Sequence, residues 1–453
     1  MPQTPPVRPG YAEQFRCIGS ACEDTCCAGW TVPVDRAAWE RLQGLPESPL
    51  KVLIDASVEF VAEGSGGDSG SFRMTEKHRC PLLTPDRLCR IHAELGEAML
   101  PQTCATYPRV PVMTGGVLEA SLALSCPEAA RLVMLSPSLA MPQRTDASAD
   151  LPFWIIRAAV LKLVRNGEYP LWQRLFLLQI LCQRLDAIAR GERKRRFTGF
   201  LADFEEAVVA GSLRAAMETL PLDRKAQLDV VLRLAGLMLH KSNIRPRFVE
   251  CIQAFTAGIG NGPGATLDSL AAHYAYAHDR HFAPFFERHP HILENYLINS
   301  IVRRRFPFGK GELGPGAEPR MLREFALLAA QFVLMRGLLI GVAGFHGAAF
   351  STAHVVHTVQ AASKHFEHHP EFLAMAHALL VESRMDGARG LAILLRNAEA
   401  GRPEIRPAGL GHRVGEEPAV GESMPASAGI SGPALQGETP AWELGRAGTG
   451  HPG

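Results

Sequence analysis

Residues 325–345 read FALLAAQFVLMRGLLIGVAGF, the most apolar stretch of the 453-residue chain. Two different folds follow from two readings of it. Its length suits a bilayer crossing. Yet Gln331 and Arg336 stand near its middle, and an arginine at the centre of a hydrocarbon layer costs several kcal/mol. The reading that avoids this cost is a buried helix, or a helix pair broken near Gly337. No membrane span is expected, and neighbouring segments should wrap the run.

Those neighbours carry helical periodicity. LPFWIIRAAVLKLVRNG (151–167) spaces its apolar residues as a helix does and stops at glycine. PLWQRLFLLQILCQRLDAIARG (170–191) opens with proline at a first helical position and closes with glycine. Further helices are expected over 224–241, 246–258, 266–285, 291–304, 319–343 and 372–396. Residues 60–71, FVAEGSGGDSGS, read as a flexible loop, and 137–150, PSLAMPQRTDASAD, as a linker. From about Gly401 onward Gly, Pro, Ala and Ser dominate without periodicity, and such a segment buries too little apolar area to offset chain entropy. The expected fold is mainly α. An irregular cysteine-rich metal-binding domain (1–136) and the linker (137–150) precede a multi-helix domain (151–398) and a disordered tail (399–453).

Lys and Arg number 47 and Asp and Glu 46. Such balance gives no support to a polyanion-binding protein, so no nucleic acid is expected. MPQTPPVRPGYAEQF lacks an apolar signal core, and a reducing cytoplasmic location is the expectation. Stable disulfides are rare there, so clustered cysteines point to metal or redox chemistry.

Ten cysteines are present, and eight fall between Cys17 and Cys126. CIGSACEDTCCAGW (17–30) holds Cys17, Cys22, Cys26 and Cys27. CPLLTPDRLCRIHAELGEAMLPQTCATYPRV (80–110) holds Cys80, Cys89 and Cys104, and LSCPEAARL adds Cys126. Cys182 and Cys251 stand alone in apolar helical patterns and read as buried hydrophobes. Thiolates suit zinc or an iron–sulfur cluster. Zinc modules use short C-x2-4-C knuckles, and here only Cys22-x3-Cys26 fits cleanly. Uneven spacing is easier to reconcile with a cluster. Zinc and a purely structural thiol group remain open alternatives. The radical-chemistry pattern C-x3-C-x2-C is absent, because its third position is Gly29.

Taken together, CIGSACEDTCCAGW, the CPLL…LCRIHAELGE…TCATYPR block, SCPEAARL and ENYLINSIVRRRFPFG (294–309) resemble the flagellin lysine-N-methylase family over roughly residues 11–395. The N-terminal part is similar to a wider group of zinc- or iron-chelating domains. The resemblance implies methyl transfer from S-adenosylmethionine to lysine ε-amines of flagellin in the bacterial cytoplasm. It also implies a 4Fe-4S-type cluster held among Cys17, Cys22, Cys26, Cys27, Cys80, Cys89, Cys104 and Cys126. Cys27, Cys80, Cys89 and Cys104, in the part shared with the chelating group, are the favoured four.

A methyl acceptor must be a neutral amine, so the site needs a base or an apolar pocket that lowers the lysine pKa. Tyr107 and Glu94 are the positional candidates to align that nitrogen. No G-x-G-x-x-G follows a strand-like run; GLGHRVG (409–415) has the glycines but no strand before it. His354 and His357, spaced i,i+3, could pair as ligands, but no recognised zinc motif completes them and capping or core roles are preferred. His92 reads as a core histidine or one supporting a ligand. Arg303–Arg305 reads as a cationic helix end, with Phe306–Pro307 after it. The rival from another class is a non-catalytic zinc- or iron-binding chaperone or redox sensor.

Overall fold

The computed structural model describes residues 10–59, 68–114, 117–140, 152–191, 197–239, 245–309, 320–369 and 371–397. Most of loop 60–71, most of linker 137–150, the tail from 399 and GLGHRVG lie outside the described residues.

The apolar run forms one continuous helix, Met321–His346, buried along nearly its whole length. The segment to Ala349 is long and apolar enough to cross a membrane, yet 94% of its most apolar window is enclosed by the protein's own helices. It is apolar on all sides because it is surrounded on all sides. Arg336, fully buried, donates from Nη1 to the Leu395 carbonyl at 2.8 Å and from Nη2 to that of Leu394 at 2.5 Å. Those carbonyls end the helix Ala388–Leu395, where the backbone dipole favours a cation.

The expected alternative of a break near Gly337 is not what forms. Gly337 is needed for close approach: a Cβ there would meet the Val231 methyls at 2.4 and 2.6 Å. At Gly341 a Cβ would stand 2.7 Å from the Phe255 carbonyl. The glycines thus seat Arg224–Leu239 and Pro246–Gly258 against the central helix.

Other helices match the expected places with shifted ends. The span 266–285 is interrupted: Leu267–Ala277 passes through a wide π turn, His278–Phe282, into Ala283–Arg288. Pro284 explains this, since it has no N–H for the helical ladder. The span 372–396 is two helices, Phe372–Glu382 and Ala388–Leu395. Thr352–Phe366 packs against the central helix, and Pro127–Leu135 packs against Thr352–Phe366 and His291–Arg303.

Five short strands occur among the described residues. β1 (Pro33–Asp35), β2 (Val58–Glu59) and β3 (Asp68–Phe72) form an antiparallel sheet in the order β1-β3-β2. β4 (Arg109–Thr114) and β5 (Val117–Leu122) form a hairpin. Residues between Val32 and Leu100 make a small core of their own. Tyr11, Phe15 and Leu122 through Met134 instead join the large core of the helical body. The Tyr11 hydroxyl donates to Asn299 Oδ1 at 2.6 Å, and Asn299 also clasps both backbone groups of Leu122.

Candidate functional site

The turn-rich backbone at Cys26–Cys27 is fixed by neighbours distant in sequence. Cys80 N–H donates to the Cys27 carbonyl at 2.8 Å, beside an isolated bridge between Ala28 and Arg79. A second bridge, Leu83 to Cys89, folds Cys89 back toward Cys80. Cys89 then caps the helix Arg90–Leu95. Cys104 rides on the helix Gln102–Thr106, whose first N–H donates to Asp35 Oδ2 at 2.7 Å. Cys27, Cys80, Cys89 and Cys104 consequently share the small core with Val34, Leu42, Phe72 and Leu82.

The structure distributes the other candidates differently. Cys26 is exposed at the edge of this group, its Sγ 3.9 Å from that of Cys27. Cys17 is exposed. Cys126 is buried in the large core, capping Pro127–Leu135. Cys182 and Cys251 are buried hydrophobes within helices. Among the described residues, no three Cys, His, Asp or Glu side chains converge tightly enough to close on a single ion.

The thiols nevertheless feel one another. The hydrogen bond from Cys27, with Lys364 assisting, lowers the Cys26 pKa; the same bond, then burial and the facing thiols of Cys89 and Cys80, raises that of Cys27. Burial pushes Cys80 up to about 11 and also raises Cys89 and Cys104, with neighbouring thiols adding to each. One thiolate is therefore easy to form and further ones are opposed. A cation among them would reverse that opposition, since thiolates are the metal-binding form. In donor chemistry the set fits a thiolate-held metal group.

Gly29 stands where a radical motif would need its third cysteine. Its φ is +90°, and a Cβ there would lie 2.2 Å from Arg245 Nη2. Lys364, buried, anchors the same loop, with Nζ 2.7 Å from both Asp24 Oδ2 and the Thr25 carbonyl. Gln360 Nε2 donates to the same Asp24 oxygen at 2.8 Å.

An aromatic surface adjoins the thiols. Trp30 Nε1 donates to the Cys26 carbonyl at 2.8 Å. Its ring stacks on His368 at 4.8 Å and lies 5.9 Å from Tyr107. The Tyr107 hydroxyl meets Ser125 Oγ at 3.1 Å, and Ser125 Oγ meets His368 Nε2 at 2.9 Å. Burial, reinforced by Cys126, holds the Tyr107 pKa well above its ordinary value, so the phenol keeps its proton. Glu94 lies on the exposed face of Arg90–Leu95, with its carboxylate committed to Arg90 Nε at 2.7 Å. His92 is exposed on that helix, not in a core. His354 Nδ1 accepts from Ser351 N–H in a helix cap, and His357 meets the Arg247 carbonyl at 3.1 Å.

Behind this surface lies a cavity of about 310 Å³ lined by Leu124, Asn299, Arg303, Arg304, Glu324 and Glu367 among others. Glu367 accepts from the backbone N–H groups of Leu124 and Ser125, each at 3.2 Å, and faces Arg303 at 3.6 Å. Arg304 pairs with Glu324 at 2.9 Å. The arginine run thus serves ion pairs at this wall as well as a helix end. Trp30, Ser125, Glu367 and His368 were not selected from sequence. The only local signals for them in the sequence are CAGW and the histidine-rich EHHPEF (367–372).

Residues 157–394 match the FliB lysine N-methylase C-terminal domain, more than half of the chain. The chain belongs to the FliB lysine N-methylase family. It is 23% identical over 267 residues to the lysine-N-methylase of Salmonella typhimurium, covering 54% of this chain and 65% of that protein. The likeness to the lysine-N-methylase of Salmonella choleraesuis has the same extent. The flagellar biosynthetic protein FliU of Salmonella muenchen is 27% identical over 132 residues, 29% of this chain and 78% of that protein. The chain therefore spans just under two thirds of the length of the lysine-N-methylases it matches. No solved structure matches it. Within this FliB-family chain, Asn299, Arg303, Glu367 and His368 fall inside the matched domain, whereas the eight clustered cysteines precede it.

Proposed function

We propose that the chain is a protein-lysine N-methyltransferase. It moves the sulfonium methyl of S-adenosylmethionine to lysine ε-amines of flagellin in the cytoplasm, with an iron–sulfur cluster at the thiol site. The observation that carries this reading is the joining of two surfaces through Trp30. One is the four-thiol core, and the other is the Trp30–Tyr107–His368 wall abutting the FliB-matched body. The relatives' names support lysine methylation, and the flagellar name of one supports flagellin as acceptor.

Cys27, Cys80, Cys89 and Cys104 would hold the cluster, with Cys26 adjoining. Were three of these thiolates its ligands, the cluster would keep one iron open and would supply a Lewis-acid position for the amino-acid end of the methyl donor. The chain's own residues do the rest. The part of the Trp30 ring left uncovered by His368 receives the lysine stem and its cationic head, a contact of about 0.5–1 kcal/mol. The amine must lose a proton before attack, and His368, held through Nε2 by Ser125 Oγ, is the base that takes it. Tyr107 aligns the nitrogen lone pair with the methyl carbon. The N–CH3 bond forms as the S–CH3 bond breaks, and the sulfonium leaves as a neutral thioether.

Incubating purified protein with methyl-labelled S-adenosylmethionine and flagellin tests this. Label on flagellin lysines is expected, with Trp30→Ala raising KM about tenfold and Tyr107→Phe lowering kcat. Absence of label with well-folded, metal-loaded protein would leave the non-catalytic alternative. The Cys26–Cys27 pair favours a redox sensor in that case.

A further inference from the structure

The central helix carries a second cavity, away from the thiols. Asn295 ties the first half of His291–Arg303 to Ser136, after Pro127–Leu135 has ended, whereas Asn299 ties the second half to Leu122, before Cys126. The cavity lies at the first of these ends. Its volume is about 440 Å³, and its walls include Trp172, Phe286, Phe332, His278, Arg336 and Asn397. That is the size and apolar character of a small-molecule site.

Its polar groups are incompletely satisfied. Arg336 spends two N–H groups on the carbonyls that close Ala388–Leu395, and its Nε makes no hydrogen bond of ordinary geometry, with the buried Tyr274 hydroxyl as its polar neighbour. No carboxylate among them pairs with its guanidinium, which lies 5.7 Å from the Phe332 ring centre. Arg174, also in the wall, is already neutralised by Glu294 at 2.7 Å. The His278 Nε2, on the π turn, is buried and without a partner. Wide turns of this kind recur at functional sites. A fully buried guanidinium without a counter-ion is costly unless something anionic meets it. Capping the helix accounts for two of its N–H groups, but not for an aromatic-walled space of this volume beside them.

We propose that this cavity binds a small organic monoanion: a flat ring seated among Trp172, Phe286 and Phe332, with its carboxylate on Arg336 and within reach of His278. The site is separate from the methyl-transfer reading and does not depend on it.

Calorimetric titration of the full chain with three probes tests the assignment. 1-Naphthylacetate has ring and charge, 1-naphthalenemethanol the ring alone, and acetate the charge alone. The first should bind at least tenfold more tightly than either of the others and quench Trp172, a signal lost in Trp172→Phe. Arg336→Gln should weaken it at least tenfold. Should that variant unfold, Glu287→Lys probes the same field from an exposed position at the cavity wall, and should tighten 1-naphthylacetate at low salt. Equal binding of the charged and uncharged rings would overturn the assignment. So would an affinity that Glu287→Lys leaves unmoved.

Discussion

Around Met321–His346 the helical body buries aliphatic and aromatic side chains on every face. Between Cys27 and Cys104 the chain has one small apolar core, three short strands, and four cysteines packed into that core. The body can be held by apolar burial, roughly 25 cal/mol per Å² removed from water. The small unit has the size at which natural domains recruit metals or cross-links. The difference marks the small unit as the part whose stability would depend on a group bound by its thiols.

The largest effect that would sharpen this contrast comes from the thiols. Replacing Cys80 and Cys89 together by Ser should reduce methyl transfer at least 100-fold and strip amide-exchange protection from residues 32–104. The helical body should keep its circular dichroism. Global unfolding instead would mean that the two regions are not energetically distinct.

Next comes the seam between them. Asp24→Ala leaves buried Lys364 without its carboxylate, at a cost of about 4 kcal/mol. Chemical denaturation should show this, together with faster alkylation of Cys26.

Within the body, Gly258→Ala would set a Cβ 1.8 Å from the Gly341 carbonyl oxygen. Overpacking there should cost about 3 kcal/mol, and the iron content proposed for the thiol site should match that of the unaltered protein. Loss of iron in this variant would break the comparison.

The smallest expected effect is a pH dependence. Burial holds His278 down to about 4. The unfolded chain takes up a proton below about 6.5, while the folded chain does not until lower pH. Stability should therefore be lost as pH falls from about 6.5 toward 4, by roughly 2–3 kcal/mol. His278→Phe should flatten the profile of melting temperature against pH.

Much of the body was legible in the sequence. A long apolar run broken only by Gln331 and Arg336 reads as a core helix because no other solvent suits both. Pro284 at the π turn carried the interruption, but periodicity alone ran past it. The β4–β5 hairpin is not among the expected elements, although RVPVMTGGVLEASL (109–122) alternates in hydrophobicity on both sides of its glycine pair. Cysteine density marked the candidate site. Its aromatic wall was hidden, because Trp30 and His368 are brought together by the fold rather than by sequence. Glu94 was chosen for nearness in sequence, and helix geometry turned it outward to Arg90.

Iron and acid-labile sulfide, determined on anaerobically purified protein alongside its visible spectrum, test the central claim most directly. Iron and sulfide in comparable amounts are expected, with broad thiolate–iron absorption that vanishes together with methyl transfer in the Cys80→Ser, Cys89→Ser variant. Iron-free protein that methylates flagellin at the full rate would contradict it.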